Sequence, residues 1–321
     1  MPKIYDMIII GGGTAGMTAA IYAHRAKRDL LIIEKAFFGG QIISASEVEN
    51  YPGFKPSSGY DFAMEISEQI DSMNITKISD EVSAILRTTE KHDADKEQKA
   101  IIKPLWQILC GKSTYLCRTV IIAVGTVNKK PGLPYEEKYV GHGLSYCATC
   151  DGAFYKDKTV AVMGGGNSAM EEALYLALLC KNVYLIHRRD KLKGEKSLQD
   201  RIFASDNIEV LFNTEIVSLH GDRKLEKIEI SGSDERKNHE TSVLQIDCLF
   251  VAIGQVPQNS AFSKTVELDK NGYIIAGEDC HTSTAGIFAA GDCRAKALRQ
   301  LVTAAADGAR AASEAIKYLE H

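Results

Sequence analysis

The feature that most constrains the fold of this chain is a strand, glycine turn, helix and strand unit that occurs twice. In the first copy, an apolar run at 4–10 leads into Gly11-Gly12-Gly13-Thr14-Ala15-Gly16, followed by an Ala-rich segment at 17–27 and a second apolar run at 30–33. The pattern predicts a strand, a tight turn, a helix and a strand that together form half of a dinucleotide-binding fold.

The second copy follows the same order, with apolar runs at 159–163 and 183–186 around Gly164-Gly165-Gly166-Asn167-Ser168-Ala169 and a predicted helix at 170–179. The same spacing separates Gly11 from Glu34 and Gly164 from His187. In such a turn the glycines let backbone approach a pyrophosphate, and the N-terminus of the helix offers it free N–H groups. The sequence therefore predicts two dinucleotide sites.

The residue after the second strand distinguishes the two sites. Glu34 stands there in the first copy, and a carboxylate suits a ribose with both hydroxyls free. His187-Arg188-Arg189 stands there in the second copy, and guanidinium groups suit a 2′-phosphate. The second site is therefore expected to prefer NADPH to NADH.

Further segments equip the first site for a flavin dinucleotide. A glycine turn with an amide, Gly40-Gln41, follows Glu34, and an apolar run near the C-terminus ends in Gly291-Asp292, whose carboxylate suits a ribityl or similar hydroxyl. Arg299-Gln300 precedes an Ala-rich helix at 301–319, whose N-terminus would favour a reduced, anionic flavin. FAD is thus predicted in the first site, which is completed by the C-terminal residues.

The boundaries of the second copy lie at apolar runs that end in glycine turns, at Gly125 and Gly254. We predict an α/β protein of two Rossmann-like, three-layer ββα dinucleotide-binding domains, the second inserted in the first. The FAD-binding domain would span 1–126 and 257–321, and the NADPH-binding domain 127–256. The charged runs at 88–98 and 222–239 are expected to be hairpin tips.

The inserted segment also contains Cys147-Ala148-Thr149-Cys150-Asp151. Two thiols at this spacing suit a small disulfide ring, and an adjacent acid suits the proton that moves when the ring opens. The same spacing is half of a zinc site, but the other six cysteines do not form a second pair at comparable spacing. The motif therefore favours redox chemistry over metal binding.

Composition limits the alternatives. The 321 residues suit two domains, and 45% apolar and 25% charged residues are typical of a globular protein. A net charge of -4 gives no reason to expect nucleic acid or an anionic membrane as a partner, and no apolar run is long enough for a membrane span. A cytoplasmic location is expected, where a Cys-x-x-Cys pair is more often catalytic than structural.

The ordered motifs GGGTAG, GGQ, VENYPG, CATCDG, GGGNSA, HRR and GDCRAKALRQ together resemble the bacterial-type, low-molecular-weight thioredoxin reductases over almost the whole chain. The resemblance implies a homodimeric flavoprotein that carries electrons from NADPH through FAD and the Cys147–Cys150 disulfide to thioredoxin. It implies that Cys150 lies against the flavin, that Cys147 reacts with the partner disulfide, and that Asp151 is the acid–base residue. It also implies that the inserted domain rotates to present nicotinamide and disulfide to the flavin in turn.

The predicted binding residues follow from the motifs and the resemblance together. For FAD they are Gly11, Gly13, Thr14, Ala15, Glu34, Gly40, Gln41, Asn50, Gly125, Asp292, Arg299 and Gln300. For NADPH they are Gly164, Gly166, Asn167, Ser168, His187, Arg188, Arg189 and Lys193, and no metal site is predicted. Lys193 stands where the family often has a third arginine, and it offers a phosphate a point charge rather than a fork.

Related flavin-disulfide reductases are the alternative, acting on a peroxiredoxin-linked or low-molecular-weight disulfide. Peroxiredoxin-linked reductases usually carry an additional N-terminal domain, and this sequence begins at its first dinucleotide strand. A dithiol oxidase would lack the cationic cluster at 187–189. A nucleotide-sensing or metal-binding protein without turnover is the alternative from another functional class.

Overall fold

The computed structural model describes residues 2–45, 48–88, 104–232 and 241–321. These residues form two compact units. The first comprises Met1–Ile43, Tyr51–Val127 and Val256–His321, and the second comprises Ser44–Asn50 and Asn128–Gln255. Most of the second unit is thus a single insertion in the sequence of the first. No helix in the described ranges is both long and apolar enough to span a bilayer.

The first unit begins with the strands and helices that carry the first glycine turn. They are β1 (Ile4–Ile10), α1 (Thr14–Arg25), β2 (Leu30–Glu34), α2 (Gly59–Ser72), β3 (Thr76–Ser79), β4 (Val82–Thr88), β5 (Leu105–Cys110), β6 (Thr114–Ile122) and β7 (Thr126–Asn128). A 3₁₀ helix lies at Gly40–Ser44, before α2.

The second unit repeats this order and adds an antiparallel sheet. Its elements are α3 (Glu136–Tyr139), β8 (Leu144–Ser145), α4 (Ala148–Asp151), β9 (Thr159–Met163), α5 (Asn167–Ala177), β10 (Asn182–Ile186), α6 (Lys196–Phe203), β11 (Ile208–Leu211), β12 (Thr214–His220), β13 (Lys227–Gly232), β14 (Thr241–Gln245) and β15 (Cys248–Val251). A 3₁₀ helix at Gly152–Tyr155 continues from α4.

The chain returns to the first unit through β16 (Gln255–Pro257), which pairs with β7. Two 3₁₀ helices follow, at Ser260–Phe262 and Gly291–Cys293, with β17 (Ile287–Ala289) just before the second. The long helix α7 (Leu301–Glu320) ends the chain.

In the first unit the main sheet has the strand order β3-β2-β1-β6-β5-β4, with β17 also paired to β6. The strands β3, β2, β1, β6 and β17 are parallel. The apolar runs of β1, β2, β6 and β17 are buried on both faces, whereas the edge strand β3 is partly exposed. Met7 and Ile9 of β1 face a cluster formed with α1 and α7, while Ile8 and Ile10 face a cluster that includes Trp106 of β5.

In the second unit a fully parallel sheet has the order β11-β10-β9-β15-β8, and β12, β13 and β14 form a separate antiparallel sheet. Val160 and Val162 of β9 pack with α5, whereas Ala161 packs with apolar residues of the antiparallel sheet. The unit therefore has a helix layer, a parallel sheet and an antiparallel sheet.

These layers confirm the predicted α/β class and the repeated Rossmann-like ββα arrangement. The helix starts are different from those predicted: α1 begins at Thr14 and α5 at Asn167, rather than at residues 17 and 170. The reason is that Gly16, the last glycine of the first motif, and Ala169, at the same place in the second motif, are already helical. The predicted hairpin tip at 88–98 lies outside the described residues except for Thr88, the last residue of β4. Of the tip predicted at 222–239, residues 222–226 connect β12 to β13 and residues 227–232 form β13, while 233–239 lie outside the described residues.

Small residues let α1 and α7 approach closely in the first unit. Gly308 of α7 lies against α1, and a Cβ built on it would be 2.1 Å from the carbonyl oxygen of Ala15 and 3.1 Å from the backbone nitrogen of Ala19. Because both neighbours are backbone atoms, a rotamer change cannot relieve the overlap.

We expect Gly308→Ala to lower the free energy of unfolding by about 1–3 kcal/mol through overpacking, although alanine is the better helix former. Ala306→Gly, at an exposed position of the same helix, is the control and should cost about 1 kcal/mol through propensity alone. Urea unfolding of both variants measures the difference. A Gly308→Ala protein more stable than wild type would contradict the packing described for these helices.

Candidate active site

The first glycine turn joins β1 to α1 and leaves no room for a side chain at Gly11. Gly11 has φ +110°, and a Cβ on it would lie 2.3 Å from the carbonyl oxygen of Ala123. The backbone N–H of Gly12 donates to Oε2 of Glu34 at 2.6 Å, so the acid at the end of β2 lies against the turn as predicted. The turn is thus held by the strand ends on both sides of β1.

The second glycine turn of this unit packs on the first. The N–H of Gly39 donates to the carbonyl oxygen of Gly12 at 2.8 Å, and a Cβ on Gly40 would be 3.2 Å from Cα of Gly13. The amide of Gln41 donates to the backbone oxygen and hydroxyl of Thr126. These contacts bring Gly11, Gly13, Glu34, Gly40 and Gln41 together.

The remaining predicted FAD residues are distributed differently. Gly125 has φ +64° and open space where a Cβ would stand. Thr14 and Ala15 form the buried first turn of α1. Asn50 belongs to the segment Ser44–Asn50, which groups with the second unit. Asn50 thus belongs to a different unit from the glycine turns, and its role in FAD binding stays a prediction.

The 3₁₀ turn at Gly291–Cys293 brings Asp292 to the N-terminus of α1. A Cβ on Gly291 would lie 2.9 Å from Cβ of Ala15. Oδ1 of Asp292 is buried without a hydrogen-bond partner among the described residues, and burial raises the pKa of this carboxyl. Arg299 stacks on the ring of Tyr273 at 4.3 Å, and its Nε is likewise buried without a partner in the described part of the chain.

These features fit FAD. Gly13 is the N-cap of α1 and has no side-chain cap, so the first N–H groups of the helix are available to a pyrophosphate. The unpaired Oδ1 of Asp292 is a ready acceptor for a ligand hydroxyl, because buried polar groups are normally hydrogen-bonded. Gln300 is the N-cap of α7 and shares a capping box with Thr303.

A buried ion cluster supports the Gly291–Asp292 turn and was not predicted. Asp307 of α7 accepts from the backbone N–H of Gly291 at 2.9 Å, from Nε and Nη2 of Arg294 at 2.8 and 2.7 Å, and from Nζ of Lys296 at 2.9 Å. Asp307 and Arg294 are both buried. Burial disfavours the Asp307 carboxylate, but these hydrogen bonds outweigh it and hold its pKa below the usual range.

The glycine turn of the second unit joins β9 to α5 and reproduces the geometry of the first. A Cβ on Gly164 would lie 2.5 Å from the carbonyl oxygen of Ala252, and one on Gly165 would lie 2.2 Å from Nδ1 of His187. His187 thus covers the turn where Glu34 does so in the first unit. Burial, with the nearby positive charges of Arg188 and Arg189, lowers the pKa of His187.

The loop after β10 docks on the same turn. The backbone N–H of Lys193 donates to the carbonyl oxygen of Gly165 at 2.7 Å. The side chain of Asn167 accepts from the N–H of Glu195 at 2.8 Å and donates to its carboxylate at 3.2 Å. Asn167 therefore anchors the loop that carries the cationic residues, a role that its motif did not reveal.

This turn fits a phosphorylated dinucleotide. Gly166 is an uncapped N-cap, and no atom lies within 4 Å of the position of its Cβ. Nε2 of His187 is buried without a partner among the described residues. Ser168, Arg188, Arg189 and Lys193 are exposed around the turn. Guanidinium and ammonium groups at such positions suit a 2′-phosphate.

Cys147 and Cys150 form a disulfide directly after β8, at the edge of the second unit's parallel sheet. Their Cα atoms are 5.3 Å apart. The carbonyl oxygen of Cys147 accepts N–H groups from Cys150 and Asp151 at 3.3 and 3.1 Å, which closes the short helix α4. The pair is therefore engaged as a disulfide rather than as metal ligands.

Asp151 lies beside this disulfide in a buried setting. Its Oδ2 is 2.6 Å from the hydroxyl of Ser145, and its Oδ1 is buried without a partner in the described ranges. Burial raises the pKa of Asp151, and the hydrogen bond from Ser145 opposes that rise. A carboxyl beside a disulfide is placed to exchange a proton with the thiols that form on reduction, and a raised pKa favours its protonated form.

The other six cysteines are free thiols. Burial raises their pKa values, to about 11 for Cys110 and Cys180, so that these thiols stay protonated and unreactive near neutral pH. The chemistry of the described residues is therefore concentrated at Cys147 and Cys150.

Comparison with known proteins agrees with this arrangement. The sequence profile of the pyridine nucleotide-disulphide oxidoreductases matches residues 5–308. The chain belongs to this family. Among related oxidoreductases, the thioredoxin reductase of Listeria innocua is 40% identical over 321 residues, covering 99% of this chain and 95% of its own. That of Bacillus subtilis is 37% identical, covering 99% and 96%.

Solved structures of oxidoreductases from this family show the same fold. Thioredoxin reductase from Streptococcus pyogenes matches with a TM-score of 0.90 at 37% identity, covering 100% of this chain and 99% of its own. The enzyme from Giardia duodenalis matches with a TM-score of 0.88 at 31% identity, covering 99% and 100%. The resemblance that the sequence motifs indicated is confirmed.

The cluster around Asp307 predicts a pH-dependent contribution to stability. We expect Asp307→Asn to lower the free energy of unfolding at pH 7 by about 3 kcal/mol, because it leaves the buried Arg294 and Lys296 without their anion. Since the folded pKa of Asp307 is lowered, its contribution exists above the unfolded value of about 3.9 and is lost as the pH falls through the folded value.

Urea unfolding at pH 7 and at successively lower pH measures this contribution. Glu278→Gln is the matched control, because Glu278 pairs with the same Arg294 but its side chain is 95% exposed. The control should change stability by less than about 0.5 kcal/mol. A wild-type advantage over Asp307→Asn that persisted unchanged in acid would show that the charge of Asp307 is not what stabilises the turn.

Proposed function

We propose that this oxidoreductase is a thioredoxin reductase that passes electrons from NADPH, through FAD and the Cys147–Cys150 disulfide, to the disulfide of thioredoxin. The observation that carries the proposal is the position of the disulfide. It follows β8, in the same parallel sheet whose β9 leads into the glycine turn with the cationic loop. One unit therefore carries both a nucleotide site and a dithiol.

Bound FAD and NADPH supply the hydride chemistry and the electron pair, and the residues of the chain hold them. In the first unit the uncapped N-terminus of α1 would bind the FAD pyrophosphate. The carboxylates of Glu34 and Asp292 would accept hydrogen bonds from FAD hydroxyls. In the second unit the N-terminus of α5 serves the pyrophosphate. Arg188, Arg189 and Lys193 serve the 2′-phosphate and so favour NADPH over NADH.

The disulfide then transfers the electrons to the partner. When the pair is reduced, Cys147 attacks the partner disulfide and Cys150 resolves the mixed disulfide, because thiolates exchange through such an intermediate. Asp151 takes a proton from the attacking thiol and returns one to the departing thiolate. The relatives in Listeria, Bacillus and Streptococcus are named thioredoxin reductases, which supports thioredoxin as the acceptor.

The resemblance also supports a homodimer in the cytoplasm, with no nucleic acid or membrane as partner. These assignments stay predictions, as do the roles of the individual residues and the rotation of the inserted domain. Substitution of each proposed binding or catalytic residue tests its role.

NADPH oxidation coupled to thioredoxin reduction tests the proposal. Wild type is expected to reduce thioredoxin, while Cys147→Ser and Cys150→Ser should each lose at least about 100-fold, because either change removes the dithiol. Cys110→Ser is the control, since Cys110 is a free, half-buried cysteine of the first unit, and it should retain activity.

The acceptor is tested in the same assay. A protein that oxidises NADPH and reduces a low-molecular-weight disulfide but no thioredoxin would overturn the thioredoxin assignment and favour the related reductases. Activity retained by both site variants would overturn the role of the disulfide itself.

A further inference from the structure

Ser145 is a polar residue of the second unit that the sequence motifs did not single out. It is the last residue of β8 and is only 5% exposed. Its Oγ is 2.6 Å from Oδ2 of Asp151 and accepts the backbone N–H of Cys147 at 3.1 Å. One hydroxyl therefore links the backbone of the first redox cysteine to the acid beside the pair.

The hydroxyl has a single proton, and its two candidate acceptors are unequal. The carbonyl oxygen of Cys147 is 3.4 Å away and already accepts N–H groups from Cys150 and Asp151. Oδ2 of Asp151 is 0.8 Å closer by these distances and carries charge when ionised, and bonds to ionised acceptors are shorter and stronger. The proton of Ser145 therefore points to Asp151.

The two oxygens of Asp151 are consequently different. Oδ2 is held by a donor, whereas Oδ1 is buried and has no partner among the described residues. A proton added to Oδ2 would compete with the hydroxyl of Ser145, whereas a proton on Oδ1 meets no such competition.

We propose that Ser145 is a positioning residue that orients Asp151 and directs its exchangeable proton to Oδ1. The inference rests on the acid–base role of Asp151 in the proposed function. Reduction of the disulfide breaks its S–S bond, takes two electrons from NADPH by way of FAD, and takes two protons to give two thiols. One of those protons passes through Oδ1 of Asp151 and is replaced from solvent.

Other titratable groups lie around this site, and their ionisation must be distinguished from that of Asp151. Tyr155, in the 3₁₀ helix after α4, and Cys248, in β15, both have pKa values raised far above neutral by burial. Asp247 accepts the backbone N–H of Thr159. The helix α5, which packs on α4, carries Glu171 and Glu172, and burial raises the pKa of Glu172 to about 7.

The experiment uses the full-length, flavin-loaded protein and compares wild type with Ser145→Ala, Ser145→Thr, Asp151→Asn and the Ser145→Ala/Asp151→Asn pair. The readouts are the pH profile of NADPH-dependent thioredoxin reduction and the pH profile of Cys147 alkylation by iodoacetamide after reduction with dithiothreitol. The KM for NADPH and the circular dichroism spectrum report on folding of the second unit.

Ser145→Ala is expected to slow thioredoxin reduction by about 10-fold and to leave the KM for NADPH unchanged. In both pH profiles, the limb set by ionisation of Asp151 should move up by about one pH unit. Ser145→Thr retains the hydroxyl and should restore the position of the limb. In the Asp151→Asn background, Ser145→Ala should have no further effect, because a positioning residue acts only through its target.

Glu172→Gln is the control for Glu172, whose pKa burial raises to about 7, and it should leave the Asp151 limb in place. A Ser145→Ala profile that superimposes on wild type, or a Ser145→Ala loss that persists in the Asp151→Asn background, would overturn the inference. If Asp151→Asn itself retained the wild-type rate, the acid–base role of Asp151 would be wrong, and the assignment of Ser145 with it.

Discussion

Both units of this protein depend on the close approach of a glycine turn to the end of a neighbouring strand. Gly11 and Gly164 each stand where a Cβ would be within about 2.5 Å of a carbonyl oxygen, that of Ala123 after β6 and that of Ala252 after β15. Because Cβ atoms do not occur at such distances, each turn can be built only from glycine. The approach brings the N-terminus of a helix beside the ends of three parallel strands, which is where a dinucleotide can bind.

The same constraint explains why Glu34 and His187 occupy matching places. Glu34 is the last residue of β2 and His187 directly follows β10, and each lies against the second glycine of its turn, Gly12 or Gly165. The fold therefore supplies one matching position beside the glycine turn in each unit. Under the proposed function, Glu34 at this position suits the free ribose hydroxyls of FAD, and His187 with the two arginines that follow it suits the 2′-phosphate of NADPH.

Much of the fold could be predicted from the sequence because it depends on local pattern. The bounds of β1 and β9 match the apolar runs at 4–10 and 159–163, and the spacing from turn to strand end is the same in both units. The helix starts were less accurate because the turn and the first helical residues overlap. Ser145 and Asp307 were missed because the fold brings their partners to them. The α4 turn brings Asp151 to Ser145. The packing of α7 brings Asp307 to Gly291, Arg294 and Lys296. A signal for Asp307 does exist, since it is an acid on an otherwise Ala-rich, buried helix face.

Under the proposed function, the protein holds electrons both in its flavin and in the Cys147–Cys150 pair. Anaerobic titration of the flavin-loaded protein with NADPH, followed by flavin absorbance and by counting of free thiols, tests it most directly. Because each centre takes one electron pair, we expect about two equivalents of NADPH for full reduction and about two new thiols. A Cys147→Ser/Cys150→Ser variant should take about one equivalent. Wild-type protein that consumed one equivalent and gained no thiols would contradict this expectation.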